Sequence, residues 1–180
     1  MSISAIEIVK EFFIINGFYV ILKDSFLIVR NSKKLSKEIE EFVIEKEKIN
    51  FINTAVVKPF SWHTLKFTPS VIKKFYEEIF EITDEKTTKL LKDLIENNYK
   101  KIIIIPGLPS TISLKNESIK IMKEKGIDHV ILFQTIISGL IEKIDERKLY
   151  QSQTLEIIRI LKFYNFFSNK KFEKELFSRK

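Results

Sequence analysis

The stretch Lys101-Ile-Ile-Ile-Ile-Pro-Gly-Leu-Pro109 decides the fold class of this chain. Its short, continuous apolar run ends in proline and glycine, which is typical of a strand buried on both faces. A helical pattern follows from about residue 114 to 125 and is closed by Gly126, and a second apolar run spans residues 128–133. Such a strand-helix-strand unit crosses over right-handed into parallel pairing. The stretch therefore predicts an α/β domain.

Upstream, the pattern indicates a helix followed by antiparallel strands. Ser4-Ala-Ile-Glu7 is a capping-box sequence, which predicts a helix start, and Gly17 is placed to end that helix in a left-handed conformation. Two β-rich runs at residues 18–22 and 26–29 flank Lys23-Asp-Ser25 and predict a hairpin.

The next segment is ambiguous. In residues 38–45, glutamate and lysine favour a helix, whereas Phe42-Val-Ile44 favours a strand. We interpret it as a strand, with a helix as the open alternative. Residues 51–58 form a clearer predicted strand, stopped by Pro59.

Helices fill most of the remaining chain. Thr68-Pro69 predicts a helix start, since a capping hydroxyl precedes a proline at the first helical position. Its predicted buried stripe is Ile72, Phe75, Tyr76 and Ile79. A second helix is predicted from Thr83 to near Tyr99, with Leu91, Leu94 and Ile95 facing inward. Two more are predicted around residues 137–144 and over residues 151–167.

The predicted architecture is a mixed β-sheet flanked by helices. Its order is helix, three to four strands, helices, strand, helix, strand, with extra C-terminal helices. The 180 residues are typical of a single α/β domain. We expect a core over about residues 1–146 and a C-terminal helical extension over about residues 150–180.

Composition points to a cytoplasmic protein with no membrane partner. Apolar residues make up 44% and charged residues 31% of the chain, and its apolar runs are much shorter than the roughly 20 residues of a membrane-spanning helix. The first residues lack the features of a secretory signal. The absence of cysteine excludes disulfides and thiolate metal sites.

The net charge of +7 is carried mainly by lysine. A basic surface favours anionic partners, and lysine suits phosphate contact better than base readout. Abundant isoleucine, lysine and glutamate without cysteine also resembles thermophile composition, which leaves a role in nucleic-acid binding as one of two interpretations.

The stretch Asn53-Thr-Ala-Val-Val-Lys-Pro-Phe-Ser-Trp-His-Thr64 adds a lysine at the end of a predicted strand. Together with Glu38-Ile-Glu-Glu-Phe-Val43, the element order resembles the restriction-endonuclease-like superfamily, the PD-(D/E)XK nucleases, in its Holliday-junction-resolvase-like branch. The resemblance covers about the first hundred residues and implies a restriction-endonuclease-like core. In that branch, a strand with an acid is followed by a neighbouring strand ending in (D/E)-X-K.

The resemblance implies a site. Glu40 would hold a magnesium or manganese ion, Lys58 would stabilise charge on the phosphate, and Glu7 or Glu11 would support them. However, Val56 stands where the motif has an acid, and Glu40 where it usually has aspartate. A valine does not bind a metal, so the ordinary mechanism requires Glu38 or Glu41 to take over.

These departures favour a non-catalytic, degenerate nuclease-like protein without a cofactor, acting as a nucleic-acid-binding or interaction module. The alternatives are an active metal-dependent nuclease with a rearranged carboxylate and a purely structural or protein-interaction subunit. In the simplest interpretation, Lys58 ends a buried strand and extends its ammonium to water.

Other residues are candidates for binding. The nucleic-acid candidates are Lys33, Lys34, Lys37, Trp62 and His63. Aromatics at positions 163, 164, 166 and 167 would surround a helical turn, and one core face cannot bury them all. They predict either a tail folded over the domain or a homo-oligomer formed through the C-terminal aromatic helix.

Overall fold

A five-stranded mixed sheet lies at the centre of the protein, with the strand order β1-β2-β3-β4-β5. The structure is a computed structural model that describes residues 3–31, 54–92, 94–95 and 99–167. The strands are β1 (Phe18–Lys23), β2 (Phe26–Asn31), β3 (Thr54–Pro59), β4 (Lys100–Ile105) and β5 (His129–Leu132). The first three pair antiparallel, and β3, β4 and β5 pair parallel.

Helices cover both faces of the sheet. The first face carries α1 (Ile3–Ile15), α6 (Phe133–Lys143) and α7 (Gln153–Phe163), which share one apolar cluster with Val29 and Val57. The second face carries α2 (Pro69–Lys74), α3 (Tyr76–Phe80), α4 (Glu85–Lys92) and α5 (Ile112–Glu124), which share another with Ile28 and Val56. The predicted α/β class and mixed sheet are confirmed.

The parallel unit forms for the reason the sequence indicates. Along β4, Ile102 and Ile104 belong to the first cluster, whereas Ile103 and Ile105 belong to the second. Side chains alternate between faces, so a strand covered on both faces needs an uninterrupted apolar run. After α5, Gly126 adopts the left-handed conformation with φ of 86° and closes the helix as predicted.

The helices of the second face are shorter than predicted. Thr68 caps α2 as expected, and its hydroxyl accepts from the amide of Val71. Phe75, with φ of −110°, then interrupts the predicted single helix, and a 3-10 helix (Glu81–Thr83) follows α3. This break turns Tyr76 outward. Leu94 is also exposed, so its predicted burial is wrong, while Ile72, Ile79, Leu91 and Ile95 are buried as predicted.

Helix ends also differ on the first face. Helix α1 begins at Ile3, so Ser4 lies within its first turn rather than before it. Phe133 begins α6 instead of ending β5. Helix α7 ends at Phe163, four residues before the predicted end at residue 167. The cause is a left-handed Asn165, with φ of 59°.

The end of α7 is a Schellman motif. The amide of Asn165 donates to the carbonyl of Lys162, and the amide of Phe166 donates to the carbonyl of Leu161. The aromatics at 163–167 therefore do not surround one helical turn, although all four are exposed in the structure.

None of the helices in the described ranges is long and apolar enough to cross a membrane. The predicted strand at residues 38–45 lies outside the described residues. Strand β2 ends at Asn31 and β3 begins at Thr54, and both of these residues lie at the end of the sheet opposite to Lys58.

Candidate functional site

Lys58 lies at the carboxyl end of β3 and points into the second face. Strand residues two apart share a face, so Lys58 follows Val56, which belongs to the second apolar cluster. Only 1% of Lys58 is exposed. A lysine at a strand end usually extends its ammonium to water, so the simplest interpretation of Lys58 is wrong.

The ammonium of Lys58 has protein partners instead of water. Its Nζ donates to the carboxylate of Glu81 and, at 2.6 Å, to the backbone carbonyl of Glu78. The rings of Phe26 and Phe60 lie 5.3 and 5.5 Å from the same nitrogen. An aromatic ring at this distance attracts a desolvated cation, which adds to the stabilisation of the charge.

Glu81 is the only acidic side chain that the structure pairs with Lys58 among the described residues. Its side chain is 43% exposed, whereas that of Lys58 is 1% exposed. The carboxylate therefore keeps part of its hydration while it neutralises the buried ammonium. Because the pair joins β3 to the 3-10 helix, it fixes the helical layer against the end of the strand.

An aromatic cluster covers this end of the sheet. The Trp62 ring centroid lies 5.3 Å from that of Phe60, 5.8 Å from that of Phe67 and 4.7 Å from that of Phe75. The amide of Phe67 donates to the carbonyl of Gly107, which ties this loop to the turn after β4. Trp62 is thus partly buried and packs against three aromatic rings.

His63 and Lys66 lie on the same loop and are exposed. The His63 ring contacts Phe133 edge-on, with 4.6 Å between ring centroids. Lys66 donates to the hydroxyl of Ser110 at 2.9 Å. The turn over residues 106–109 thus serves as a shaped connection between β4 and α5. The described residues here hold an exposed imidazole, but no acid contacts it.

Among the described residues, those beside Lys58 do not form a magnesium site. The strands that pair with β3 are β2 and β4, and Ile28 and Lys101 lie opposite Val56. On the second face, β2 contributes Phe26 and Ile28. Within the described ranges, no three acidic or histidine side chains form a group suited to a metal ion. Hard cations such as magnesium need several oxygen ligands. Glu81 is the acid nearest at hand, and its carboxylate is already paired with Lys58.

The first helix lies on the wrong face to support Lys58. Helix α1 packs through Val9, Phe12 and Phe13 in the first apolar cluster, on the opposite side of the sheet. Glu7 pairs with Lys10 on its own helix, at 3.2 Å. The expectation that Glu7 or Glu11 supports the site is therefore wrong, because the sheet separates them from the ammonium.

Several predicted site residues lie outside the described residues: Glu40, the predicted metal ligand and catalytic acid, and the basic candidates Lys33, Lys34 and Lys37. Of the predicted set, the structure places Lys58, Trp62 and His63 at one end of the sheet. Sequence reasoning missed Glu81 and Glu78. No spacing rule connects a strand lysine with a glutamate 23 positions later, so the sequence carries no signal for this pair.

A second basic feature lies on α4. Lys86, Lys89 and Lys92 recur every third position and are all exposed, and we call them the lysine row. No carboxylate within the described part of the chain pairs with any of them. Buried Thr87 and Leu91 attach the opposite side of α4 to the core.

Neighbouring residues anchor the lysine row. Arg30 on β2 donates through Nη2 to the carbonyl of Leu94, at 2.8 Å, and adds a further positive charge beyond the end of α4. The Tyr99 hydroxyl forms a hydrogen bond with the side chain of Thr88 on α4. Burial raises the pKa of Tyr99, and this hydrogen bond partly opposes the increase. The row therefore lies on a helix held from two directions.

Compared with known proteins, the chain matches no family model, no curated protein and no solved structure.

Proposed function

We propose that this protein is a non-catalytic, nuclease-like module that binds the phosphate backbone of nucleic acid. The observation that carries the proposal is the state of Lys58, whose ammonium is buried and neutralised by Glu81. A lysine that stabilises a phosphate in a transition state must present its charge to the substrate. Here the charge is instead held by groups of the protein itself, the Glu81 carboxylate and the Glu78 carbonyl.

The element order supports the nuclease-like part of the proposal. The chain runs through α1, the β1-β2 hairpin, β3 with Lys58, helices, and then β4 parallel to β3. The restriction-endonuclease-like resemblance is built on this order. The finer assignment to that superfamily is part of the proposal, as is the loss of its metal site through Val56.

The lysine row supplies the proposed phosphate contact. Its three ammonium groups recur along one side of α4, with Arg30 beyond its end. Lysine contacts phosphate as a point charge without reading bases, so we expect binding with little sequence preference. A location in the cytoplasm, where nucleic acid is accessible, completes the proposal.

The test separates binding from catalysis. Fluorescence anisotropy with labelled single-stranded and duplex DNA measures binding over a range of salt concentrations. Replacing Lys86, Lys89 and Lys92 with glutamine should weaken binding and reduce the slope of log K against log salt by about 2 to 3 units. The matched control replaces exposed Lys73, Lys74 and Lys120 with glutamine, which changes the net charge equally.

Calorimetric titration with magnesium and manganese, combined with a plasmid-nicking assay, tests the catalytic alternative. We expect no nicking. Nicking that is lost in both Glu40→Ala and the well-packed Lys58→Met would overturn the non-catalytic proposal. The proposed role of the lysine row would be overturned if the two triple variants lost binding equally, or if the protein bound no DNA at low salt. In the latter case, the structural or protein-interaction alternative would replace it.

A further inference from the structure

Within the described part of the chain, strand β1 lies at the edge of the sheet and carries exposed apolar side chains. Among the described residues, its only strand partner is β2. Tyr19 is 71% exposed, Ile21 is 54% exposed and Leu22 is 49% exposed. Exposed apolar side chains on an edge strand, combined with unpaired backbone groups, form a template for another strand.

This edge lacks the features that normally block strand addition. The β1-β2 register is continuous from Phe18↔Asn31 to Lys23↔Phe26, so β1 contains no bulge. The strand has no proline, and its only charged residue is Lys23, at its end. Proteins usually protect an edge strand with charges, prolines or bulges, and β1 uses only this one terminal lysine.

The hairpin defines which backbone groups are available. In an antiparallel pair, hydrogen-bonded and non-hydrogen-bonded positions alternate, and a two-residue turn closes on a hydrogen-bonded pair. Asp24 and Ser25 form the turn between Lys23 and Phe26. Lys23 is therefore hydrogen-bonded to β2, and every second residue before it is too. The outward amides and carbonyls belong to the residues between them, which are Phe18, Val20 and Leu22.

We propose that β1 pairs antiparallel with β1 of a second copy of this chain, about a two-fold axis at Val20. This register is self-complementary, because a two-fold axis at Val20 exchanges the positions of Phe18 and Leu22. Its hydrogen-bonded pairs use outward-directed residues only. Val20 pairs with its own copy, and Phe18 pairs with Leu22 of the partner subunit. The two five-stranded sheets become continuous, and the proposal does not depend on nucleic-acid binding.

The side chains agree with this register on both faces. On the second face, Tyr19 lies opposite Ile21 of the partner subunit, an aromatic-aliphatic cross-strand pair that occurs twice. On the first face, the exposed Leu22 lies opposite Phe18 of the partner subunit. Lys23 lies opposite an uncharged glycine, Gly17 of the partner subunit, so no like charges meet across the axis.

The α7 surface is a weaker candidate for self-association. Ile157, Ile160, Phe163 and Tyr164 are exposed there, and the last three, with Arg159, line a shallow cavity of about 280 Å³. Apolar side chains alone do not define what covers them. In contrast, the backbone of β1 is suited to a strand as its partner, and its outward-directed residues Phe18, Val20 and Leu22 allow a self-complementary pairing with a second copy.

The proposal is tested by multi-angle light scattering and sedimentation at concentrations from about 1 to 200 µM, a range that spans typical weak dimers. We expect a dimer. Val20→Pro removes an outward amide without removing a β1-β2 hydrogen bond, so it should raise the dissociation constant at least tenfold. Ile21→Lys should do the same by placing charge in the interface. Ile157→Lys, on α7, is the control and should leave the dimer intact.

A crosslink tests the register. The chain has no cysteine, so Val20→Cys introduces the only thiol. Opposed strand residues lie about 5.5 Å apart between Cα atoms, within disulfide range, so mild oxidation should give a covalent dimer. Ile157→Cys should not crosslink comparably. A monomeric wild-type protein, or dissociation by Ile157→Lys but not by Ile21→Lys, would overturn the proposal.

Discussion

The ammonium of Lys58 and the carboxylate of Glu81 form an ion pair that joins the end of β3 to the 3-10 helix after α3. The lysine side chain is buried and the glutamate is nearly half exposed. Removing a charge from water costs several kcal/mol, and a partner charge with good hydrogen bonds offsets that cost. The pair thus makes burial of Lys58 tolerable, and its contribution to stability depends on which partner is removed.

The first prediction concerns stability after substitution of this pair. Glu81→Ala leaves the ammonium buried with only the Glu78 carbonyl and two aromatic rings, so we expect a loss of about 2 to 4 kcal/mol. Lys58→Met replaces the charge with an apolar chain of similar length and frees Glu81 to face water, so its cost should stay below about 1.5 kcal/mol. Urea denaturation measures both free energies of unfolding.

Lys58→Ala provides the matched comparison. It removes the same charge as Lys58→Met but leaves a cavity in the second apolar cluster, which costs about 2 to 5 kcal/mol. Trp62, the only tryptophan, reports unfolding because its ring packs in the adjacent aromatic cluster. A Lys58→Met protein that is less stable than Glu81→Ala would contradict the proposed structural role of the ion pair.

The second prediction concerns the acid limb of the stability profile, the fall in folding stability as the pH is lowered. Hydrogen bonds from the guanidinium of Arg159, at 2.6 and 2.9 Å, hold the pKa of Glu156 below its ordinary value. A carboxylate with a lowered pKa in the folded state adds stability above its unfolded-state pKa. That stability is lost as the pH falls through the folded-state pKa. Glu156→Gln should therefore destabilise the protein at neutral pH, and the difference from wild type should shrink below about pH 4.

Thermal unfolding between pH 3 and pH 7 checks this expectation. Arg159 also donates to the Glu146 carbonyl, at 3.0 Å, so the pair attaches α7 to the preceding loop. Exposed Glu142→Gln serves as the control for a general change in net charge. If Glu142→Gln and Glu156→Gln shift the acid limb equally, the Arg159 interaction is not its cause.

The third prediction concerns the start of α2. Thr68 accepts a hydrogen bond from the amide of Val71, so Thr68→Ala should cost about 1 kcal/mol and Thr68→Ser much less. The two substitutions differ in the hydroxyl and leave Pro69 in place. Equal losses in both variants, measured by urea denaturation, would show that the methyl group of Thr68 matters and the cap does not.

The sequence predicted those parts of the fold that local chemistry determines. The apolar run at β4, the Thr68-Pro69 start and the left-handed Gly126 each depend on neighbouring residues only. Helix ends were predicted less well. Helix α7 ends early because Asn165 adopts the left-handed conformation. The sequence did not predict this end, because asparagine adopts that conformation less regularly than glycine.

The candidate site was predictable only in part. The sequence singled out Lys58 through its place at the end of a strand, and the resemblance assigned its charge to a substrate phosphate, whereas the structure buries the ammonium beside Glu81. Its observed partner, Glu81, lies on a short helix whose position depends on the break at Phe75 and the packing of Ile79 and Ile82. Pairings of this kind arise from tertiary packing, which residue spacing does not encode.

The last prediction concerns Asn165. Its φ of 59° lies in the left-handed region, which costs a residue with a β-carbon about 1 kcal/mol more than glycine and is tolerated best by asparagine and aspartate. Asn165→Ala should therefore destabilise the protein by about 1 kcal/mol, or about 2 to 4 °C in Tm. Asn165→Gly relieves the strain but makes the unfolded chain more flexible, so its Tm should remain within about 2 °C of the wild type. Differential scanning calorimetry measures both.

Asn116→Ala is the control for loss of an asparagine side chain, because Asn116 is exposed within α5, where alanine favours the helix and should not lower the Tm. An Asn165→Ala protein as stable as the wild type would show that the left-handed turn does not end α7 in solution.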